Sequence, residues 1–296
     1  MAIPEFQLES WSHQGAVAGS RDTYNEIKKV LEASTGPYAP KDYKVFLQGS
    51  YGNDTNVYKE SDVDVVIQLN QTFKSDTSKL PSDQVAAWDR AYSNSSYGYY
   101  DLRNDVLKVL TDKYGSDVKV GDKAIAIAGS GNRRKADVIT ALQYRRYYKF
   151  NGIYDESYDV GICFYNESGE LIANYPKQHS ANMTTKHQLT ASWLKPTVRI
   201  VKNMRNKLVD DKTIKSGIAP SYYIEGLLYN VPNDQFGTSY ADTFANAMNW
   251  ILQADRSKFV CANEQYYLLR DNAHTCWPKA NFDQFLNALK TFWNNW

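Results

Sequence analysis

Residues 62–69 read Asp62-Val63-Asp64-Val65-Val66-Ile67-Gln68-Leu69, with Ser61 before them, and this run constrains the fold more than any other. Val63, Val65, Ile67 and Leu69 share one parity, while Asp62 and Asp64 share the other. A period of two means a β-strand with its apolar set facing a core and both carboxylates on the opposite side, their bases about 7 Å apart. Carboxylates placed that way suit divalent cations, which take hard oxygen ligands. Upstream, the apolar run Val45-Phe46-Leu47 leads through Gln48 into Gly49-Ser50-Tyr51-Gly52. Glycine lets the backbone approach a ligand closely, and a hydroxyl beside backbone N–H groups suits phosphate oxygens. A phosphate cradle followed by an Asp-x-Asp strand asks for a metal-bound nucleoside triphosphate. Each piece alone is weak, since Gly-Ser is common and Asp-x-Asp is ordinarily the wet face of a strand. A third acid, Asp137, opens a matching strand through Leu142 and joins the pair.

At 296 residues the chain is long enough for one large or two intimate domains. Its 34 Lys and Arg nearly balance 33 Asp and Glu, so no bulk field draws it onto nucleic acid or membrane. Cys163, Cys261 and Cys276 lie far apart without a C-x-x-C pair, which fits reduced thiols in a cytoplasmic protein rather than disulfides or zinc. His274-x-Cys276 offers too few ligands for a structural zinc. No leader-like N-terminus and no long apolar segment is found, so a soluble protein is expected.

Along the chain, residues 4–33 read as helical, with Pro4 in a first turn and Thr23-x-x-Glu26 as a possible capping box. Gly15 and Gly19 weaken the middle and leave one helix or two open. The polar stretch from Asn70 to Ser82 reads as a loop, and 83–114 as helical with an interruption from Tyr92 to Tyr100. Val118–Ile127 alternates in part and suits pairing with the strand at Asp137. The basic loop Gly129–Lys135 reads as a solvated hairpin tip. Gly161–Tyr165 and Leu171–Tyr175 flank a glycine-containing turn and read as a hairpin. Beyond about 180 the strand signals stop and helical spacing takes over. On the helix at about 190–208, Lys195, Arg199 and Lys202 share one face opposite the buried stripe Leu194, Val198, Val201, Met204 and Leu208. A basic helix face of this kind is ordinarily solvated.

Gly49-Ser50 followed by Asp62-x-Asp64 and Asp137 resembles the active site of the DNA polymerase β-like nucleotidyltransferases. The likeness is strongest to the bacterial cGAS/DncV-like nucleotidyltransferases (CD-NTases) of clade E, the CdnE type. Carrying it nearly end to end are Leu8–Gly15, Leu47–Tyr51, Asn174-Tyr175-Pro176-Lys177, Lys195-Pro196-Thr197, Lys202-Asn203, Pro220-Ser221-Tyr222 and Leu227–Pro232. The resemblance implies an α+β fold: a mixed-sheet nucleotidyltransferase lobe over 1–178 and a helical lobe over 179–296, with a long N-terminal helix spanning both. It further implies two Mg²⁺ ions, with Mn²⁺ as a substitute, on Asp62, Asp64 and Asp137, the last helping to take a proton from the attacking hydroxyl. Gly49, Ser50, Lys202 and Ser221 would meet phosphates, the Tyr222 ring would stack on a base, and Asn174 would contact uracil.

The activity so implied joins and cyclises two NTPs, UTP and ATP, in a deep cleft between the lobes. Cyclic UMP–AMP is expected first and cyclic di-UMP second. The product would be read by a separate effector in anti-phage (CBASS) signalling, and the enzyme would be a monomer without a stable nucleic acid partner. Two alternatives stand beside this reading. One is a polymerase β-like transferase acting on another acceptor, which near-neutral charge disfavours. The other is a catalytically silent nucleotide sensor, which retention of the acids disfavours.

Overall fold

In the computed structural model the described residues are 3–15, 17–33, 36–59, 62–271 and 273–296, so Ser61, which precedes the Asp-x-Asp strand, lies outside them. The elements in chain order are α1 (Glu5–Ser12), α2 (Ala18–Leu31), β1 (Tyr43–Gln48), the one-turn α3 (Gly49–Gly52), β2 (Val63–Asp76), α4 (Ser82–Ala91) and α5 (Tyr99–Tyr114). They continue with β3 (Val118–Val120), β4 (Ile125–Ile127), β5 (Ala136–Gly152), β6 (Asp155–Tyr165) and β7 (Leu171–Asn174). The last are α6 (Pro176–Leu189), α7 (Leu194–Asp210), α8 (Ser221–Asn230), α9 (Tyr240–Gln253) and α10 (Lys279–Asn294).

Two compact units share this chain, and they interleave. One holds Ala18–Gln48 and Asp62–Pro176; the other holds Met1–Val17, Gly49–Ser61 and Lys177–Trp296. The last crossing between the units falls at Pro176/Lys177. The N-terminal segment and the turn after β1, however, cluster with the helical unit.

The first unit is built on a mixed seven-stranded sheet. β1 runs antiparallel to β2, β2 parallel to β5, and β5 pairs antiparallel first with β4 and then with β6. The alternation of 63–69 does what its period demands: Val63, Val65, Ile67 and Leu69 are fully buried, and α2 and α5 pack against β2 and β5. The strand runs on to Asp76, past a register shift between Leu69 and Phe73, where the sequence suggested a loop. Pairing to the long β5 holds these polar residues extended, a tertiary effect that local composition does not carry. The hairpin of β3 and β4 beside Asp137 and that of β6 and β7 follow expectation.

The second unit is helical, and its core includes Leu8, Met183, Leu194, Val198, Val201, Met204, Leu208, Ile224, Leu227, Phe244 and Trp277. The stripe expected on α7 is buried throughout. In place of one long N-terminal helix there are two, α1 and α2, one in each unit. Gly15 lies in the break: its N–H donates to the Asn56 carbonyl at 3.1 Å, and a Cβ there would sit 2.7 Å from the Val57 carbonyl carbon. Thr23 is not a cap but lies within α2, where its hydroxyl donates to the Gly19 carbonyl and accepts from the Arg134 N–H. The three cysteines are free and buried, and among the described residues no helix is long and apolar enough to cross a membrane.

Gly15→Ala is expected to force the backbones at 15 and 57 apart, a loss of about 2 kcal/mol and several degrees in melting midpoint. Calorimetry checks it; an unchanged midpoint would show that the contact yields freely.

Candidate active site

The sheet places two of the expected acids in one row. Asp64 on β2 is registered with Asp137 on β5, and on its other side with Gln48, the last residue of β1. Cross-strand partners point to the same face, so Gln48, Asp64 and Asp137 stand together opposite the apolar set. Asp62 precedes β2 and accepts a hydrogen bond from Lys135 Nζ at 2.5 Å. The Lys135 ammonium is held protonated chiefly by that hydrogen bond, with the charges of Asp137, Asp62 and Asp64 adding to it against burial. The Asp137 carboxyl is pushed above its ordinary range by burial, with Lys135 opposing and the Asp62 charge adding to the rise. The basic loop 129–135 is thus not a bare hairpin tip: Lys135 meets Asp62, and Arg133 pairs with Asp117.

This donor set fits a divalent cation in chemistry. All three side chains offer hard anionic oxygens, and Gln48 Oε1 beside them is a buried acceptor without a hydrogen bond. Among the described residues no group of three His, Cys, Asp or Glu is drawn tightly enough to enclose an ion; the protein's own cation, Lys135, offsets the acids instead.

Beyond the acids, the same face carries an apolar floor of Val66, Ala141 and Ile162 with Phe46 and Ile139. Farther along, Gln143, Ile162 and Asn174 form another registered row. Asn174 ends β7, half-buried, and its Oδ1 accepts from the Tyr175 N–H at 2.8 Å. The carboxamide is thereby oriented by its own backbone, with its oxygen already engaged.

In the helical unit, Gly49 adopts φ +69 and opens the single turn α3, whose Ser50 carbonyl accepts from the Thr55 N–H at 2.9 Å. The positive φ lets the chain bend from strand into turn at little steric cost, as glycine permits. The rest of the segment is gripped by α7. Lys195 Nζ pairs with the Asp54 carboxylate at 2.9 Å, Arg199 donates to the Asp54 carbonyl at 2.6 Å, and Lys202 donates to the Thr55 carbonyl at 3.1 Å. The basic face of α7 thus holds residues 54 and 55, with Lys195 and Lys202 buried and Arg199 half-buried.

Lys202, expected as a triphosphate contact, lies in the protein interior. Its side chain is fully buried, and Nζ lies 3.0 Å from Glu225 Oε1 in α8. An ammonium with no exposed surface and a carboxylate at contact distance is already neutralised within the protein. Glu225, which the sequence reading overlooked, is the centre of this cluster. It accepts from Thr55 Oγ1 at 2.5 Å, from Asn53 Nδ2 at 2.9 Å and from His179 Nε2 at 2.7 Å. Burial alone would raise its pKa, but Lys202, His179 and Thr55 hold the carboxyl far below the usual range. One signal was available: Glu225 is the only charge in the apolar helix 221–230, and buried carboxylates are almost always partnered.

Ser221 is the first residue of α8, with Arg205 Nη2 3.5 Å from its hydroxyl, so the cation beside it is Arg205 rather than Lys202. The Tyr222 ring stacks on His179 at 4.9 Å, and its hydroxyl accepts from Asn263 Nδ2 at 2.9 Å. One ring face is thus engaged by protein, and burial raises the phenol's pKa.

Residues 181–294 match the cGAS/DncV-like nucleotidyltransferase C-terminal helical domain. The chain is similar to the cyclic UMP-AMP synthase of Rhodothermus marinus, with 38% identity over 100% of this chain and 99% of that protein. It is also similar to the cyclic nucleotide synthase CdnE01 of Staphylococcus haemolyticus, with 37% identity over 100% of each. The structure of Rhodothermus marinus CdnE c-UMP-AMP synthase with Apcpp and Upnpp superposes with a TM-score of 0.89, covering 99% of this chain and 97% of that one.

Lys202→Met is expected to destabilise the protein by about 3–5 kcal/mol, because it strips a buried carboxylate of its ammonium. An exposed phosphate-binding lysine would change stability by no more than about 0.5 kcal/mol. The Glu225 pKa is depressed in the folded state, so its contribution is complete above the unfolded value, about pH 4.3, and is lost as pH falls below it. Urea titrations should therefore show the gap between wild type and Lys202→Met narrowing below that pH. A gap that stayed constant to the acid limit would exclude the ion pair as its source.

Proposed function

The chain belongs to the cGAS/DncV-like nucleotidyltransferase family, and on that premise we propose that it joins and cyclises two NTPs into a pyrimidine-containing cyclic dinucleotide. Cyclic UMP–AMP is the first expected product and cyclic di-UMP the second. The observation that carries the reading is the registered row of Asp64 and Asp137 on parallel strands, with Asp62 beside it, in a chain whose full-length relatives are named as cyclic nucleotide synthases.

Asp62, Asp64 and Asp137 are the residues to hold Mg²⁺, or Mn²⁺ in its place. When bound, the metal supplies charge that lowers the pKa of an attacking ribose hydroxyl and offsets that of the leaving pyrophosphate. Asp137 is the acid to which the family resemblance assigns the hydroxyl's proton. Ser50 and the N–H groups of its turn orient phosphate oxygens, with Ser221 in a like role. Lys135, paired with Asp62 here, gives up that contact when a cation takes its place at the acids. The product acts through a separate effector protein in anti-phage signalling, and the enzyme works as a monomer.

The choice of base rests on Asn174. Its Oδ1 is engaged by the Tyr175 N–H, which leaves the Nδ2 donor as the group it offers. Uracil presents a carbonyl acceptor where adenine presents an amino donor, so an outward N–H₂ favours uracil. The hydrogen bond to the backbone, which by itself would make Asn174 a strand terminator, is thereby what orients the amide.

Mass spectrometry of products from all four NTPs with Mg²⁺ tests the reading without any acceptor strand; a requirement for a nucleic acid primer would favour the polymerase-like alternative. Replacing Asp62 and Asp64 together by Asn is expected to cut synthesis at least about a thousandfold, or about 4 kcal/mol, in a folded protein. Asn174→Ser should shift output from UMP-containing products towards cyclic di-AMP by about ten- to a hundredfold in nucleotide preference. Purine-only products from the wild type would remove Asn174 from the base site.

A further inference from the structure

We infer that Glu225 is a positioning residue: it sets the phosphate-facing turn at Ser50 through the hydroxyl of Thr55. The inference rests on the reading of Ser50 as a phosphate contact. Thr55 links the two residues by covalent and hydrogen-bonded steps. Its Oγ1 donates to Glu225 Oε1 at 2.5 Å, and its N–H donates to the Ser50 carbonyl at 2.9 Å. A second tie runs in parallel, from Asn53 Nδ2 to Glu225 Oε2 at 2.9 Å, while the Asn53 N–H donates to the Gly49 carbonyl at 3.1 Å.

Both oxygens of one carboxylate therefore hold the two residues whose N–H groups close the turn at Gly49 and Ser50. The carboxylate is itself immobile, because Lys202 and His179 fix it from α7 and α6 in a site with almost no exposed surface. Asp54, between the two tied residues, adopts a left-handed φ of +55, a conformation rare outside glycine though more accessible to Asp and Asn. Lys195 and Arg199 hold that residue from the other side. A ligand-binding turn with no net cation of its own is thus held in shape by buried charges that never touch the ligand. Preorganisation of this kind acts on binding, since an unheld turn must be ordered when the ligand arrives.

Removing Glu225 would strand Lys202 in the interior, so the link is better cut at Thr55. Thr55→Val keeps the shape and deletes the hydroxyl; Thr55→Ser keeps the hydroxyl. Binding of a non-hydrolysable ATP analogue with Mg²⁺ is measured for both, for Ser50→Ala and for the Ser50→Ala/Thr55→Val pair, alongside melting midpoints. Thr55→Val should weaken binding about tenfold, the size of one lost ordering hydrogen bond, with Thr55→Ser restoring it. In the pair, Thr55→Val should cost less than it does alone, because part of its effect runs through the Ser50 hydroxyl. A lowered midpoint with unchanged binding would overturn the inference and leave Glu225 as packing alone, as would full additivity in the pair. If Ser50→Ala binds the analogue as wild type does, the phosphate role of Ser50 falls, and the positioning role with it.

Discussion

A carboxylate and an ammonium in a dry interior must satisfy each other, and the Glu225–Lys202 pair organises the helical unit around that requirement. Taking two charges from water is repaid only when every remaining lone pair and proton finds a partner. Glu225 answers with Thr55, Asn53 and His179, and Lys202 with both oxygens of Thr55. These partners come from α6, α7, α8 and the turn after β1, so one electrostatic demand fixes segments that apolar packing alone would let slide. The neighbouring cations extend the same logic. Lys195 and Arg199 neutralise and cap Asp54, so a helix face that reads as polar is in fact an internal surface.

The acids illustrate how charge is handled where a ligand is expected. At Asp62 the counter-charge is the half-exposed Lys135, whose side chain is open to solvent where that of Lys202 is not. The contrast is between a fully buried ion pair at Glu225 and a half-exposed one at Asp62.

What was legible in the sequence follows the range of the forces involved. The strand at 63–69, the partner strand at Asp137 and the α7 stripe rest on short-period patterns, and they appear as read. Resemblance to the family supplied the acids as a set. The extension of β2 to Asp76 depends on pairing with β5, and the break at Gly15 on a backbone contact to Val57, neither of which leaves a local trace. The helix face of Lys202 is legible but its partner Glu225 is not, because burial of a cation is decided by a carboxylate elsewhere in the chain. Glu225 could have been suspected from its apolar surroundings, but its partners could not. At Asn174 the hydrogen bond from the Tyr175 N–H is a local one, of the kind that an amide ending a strand makes.

The separation of Glu225 from its partners bears on how the protein is made. Asn53 and Thr55 precede it by 172 and 170 residues, and the turn they close belongs to the unit whose bulk is synthesised last. During translation the acid-bearing sheet has all its strands once β7 has emerged, whereas the turn at Ser50 waits for α8. Contacts of such long range form late because the loop they close must first be ordered. A nascent chain that stopped before α8 would thus lack the carboxylate that ties Asn53 and Thr55. The arrangement makes a short local turn a late one: a segment made early keeps its final hydrogen bonds open until α8 arrives.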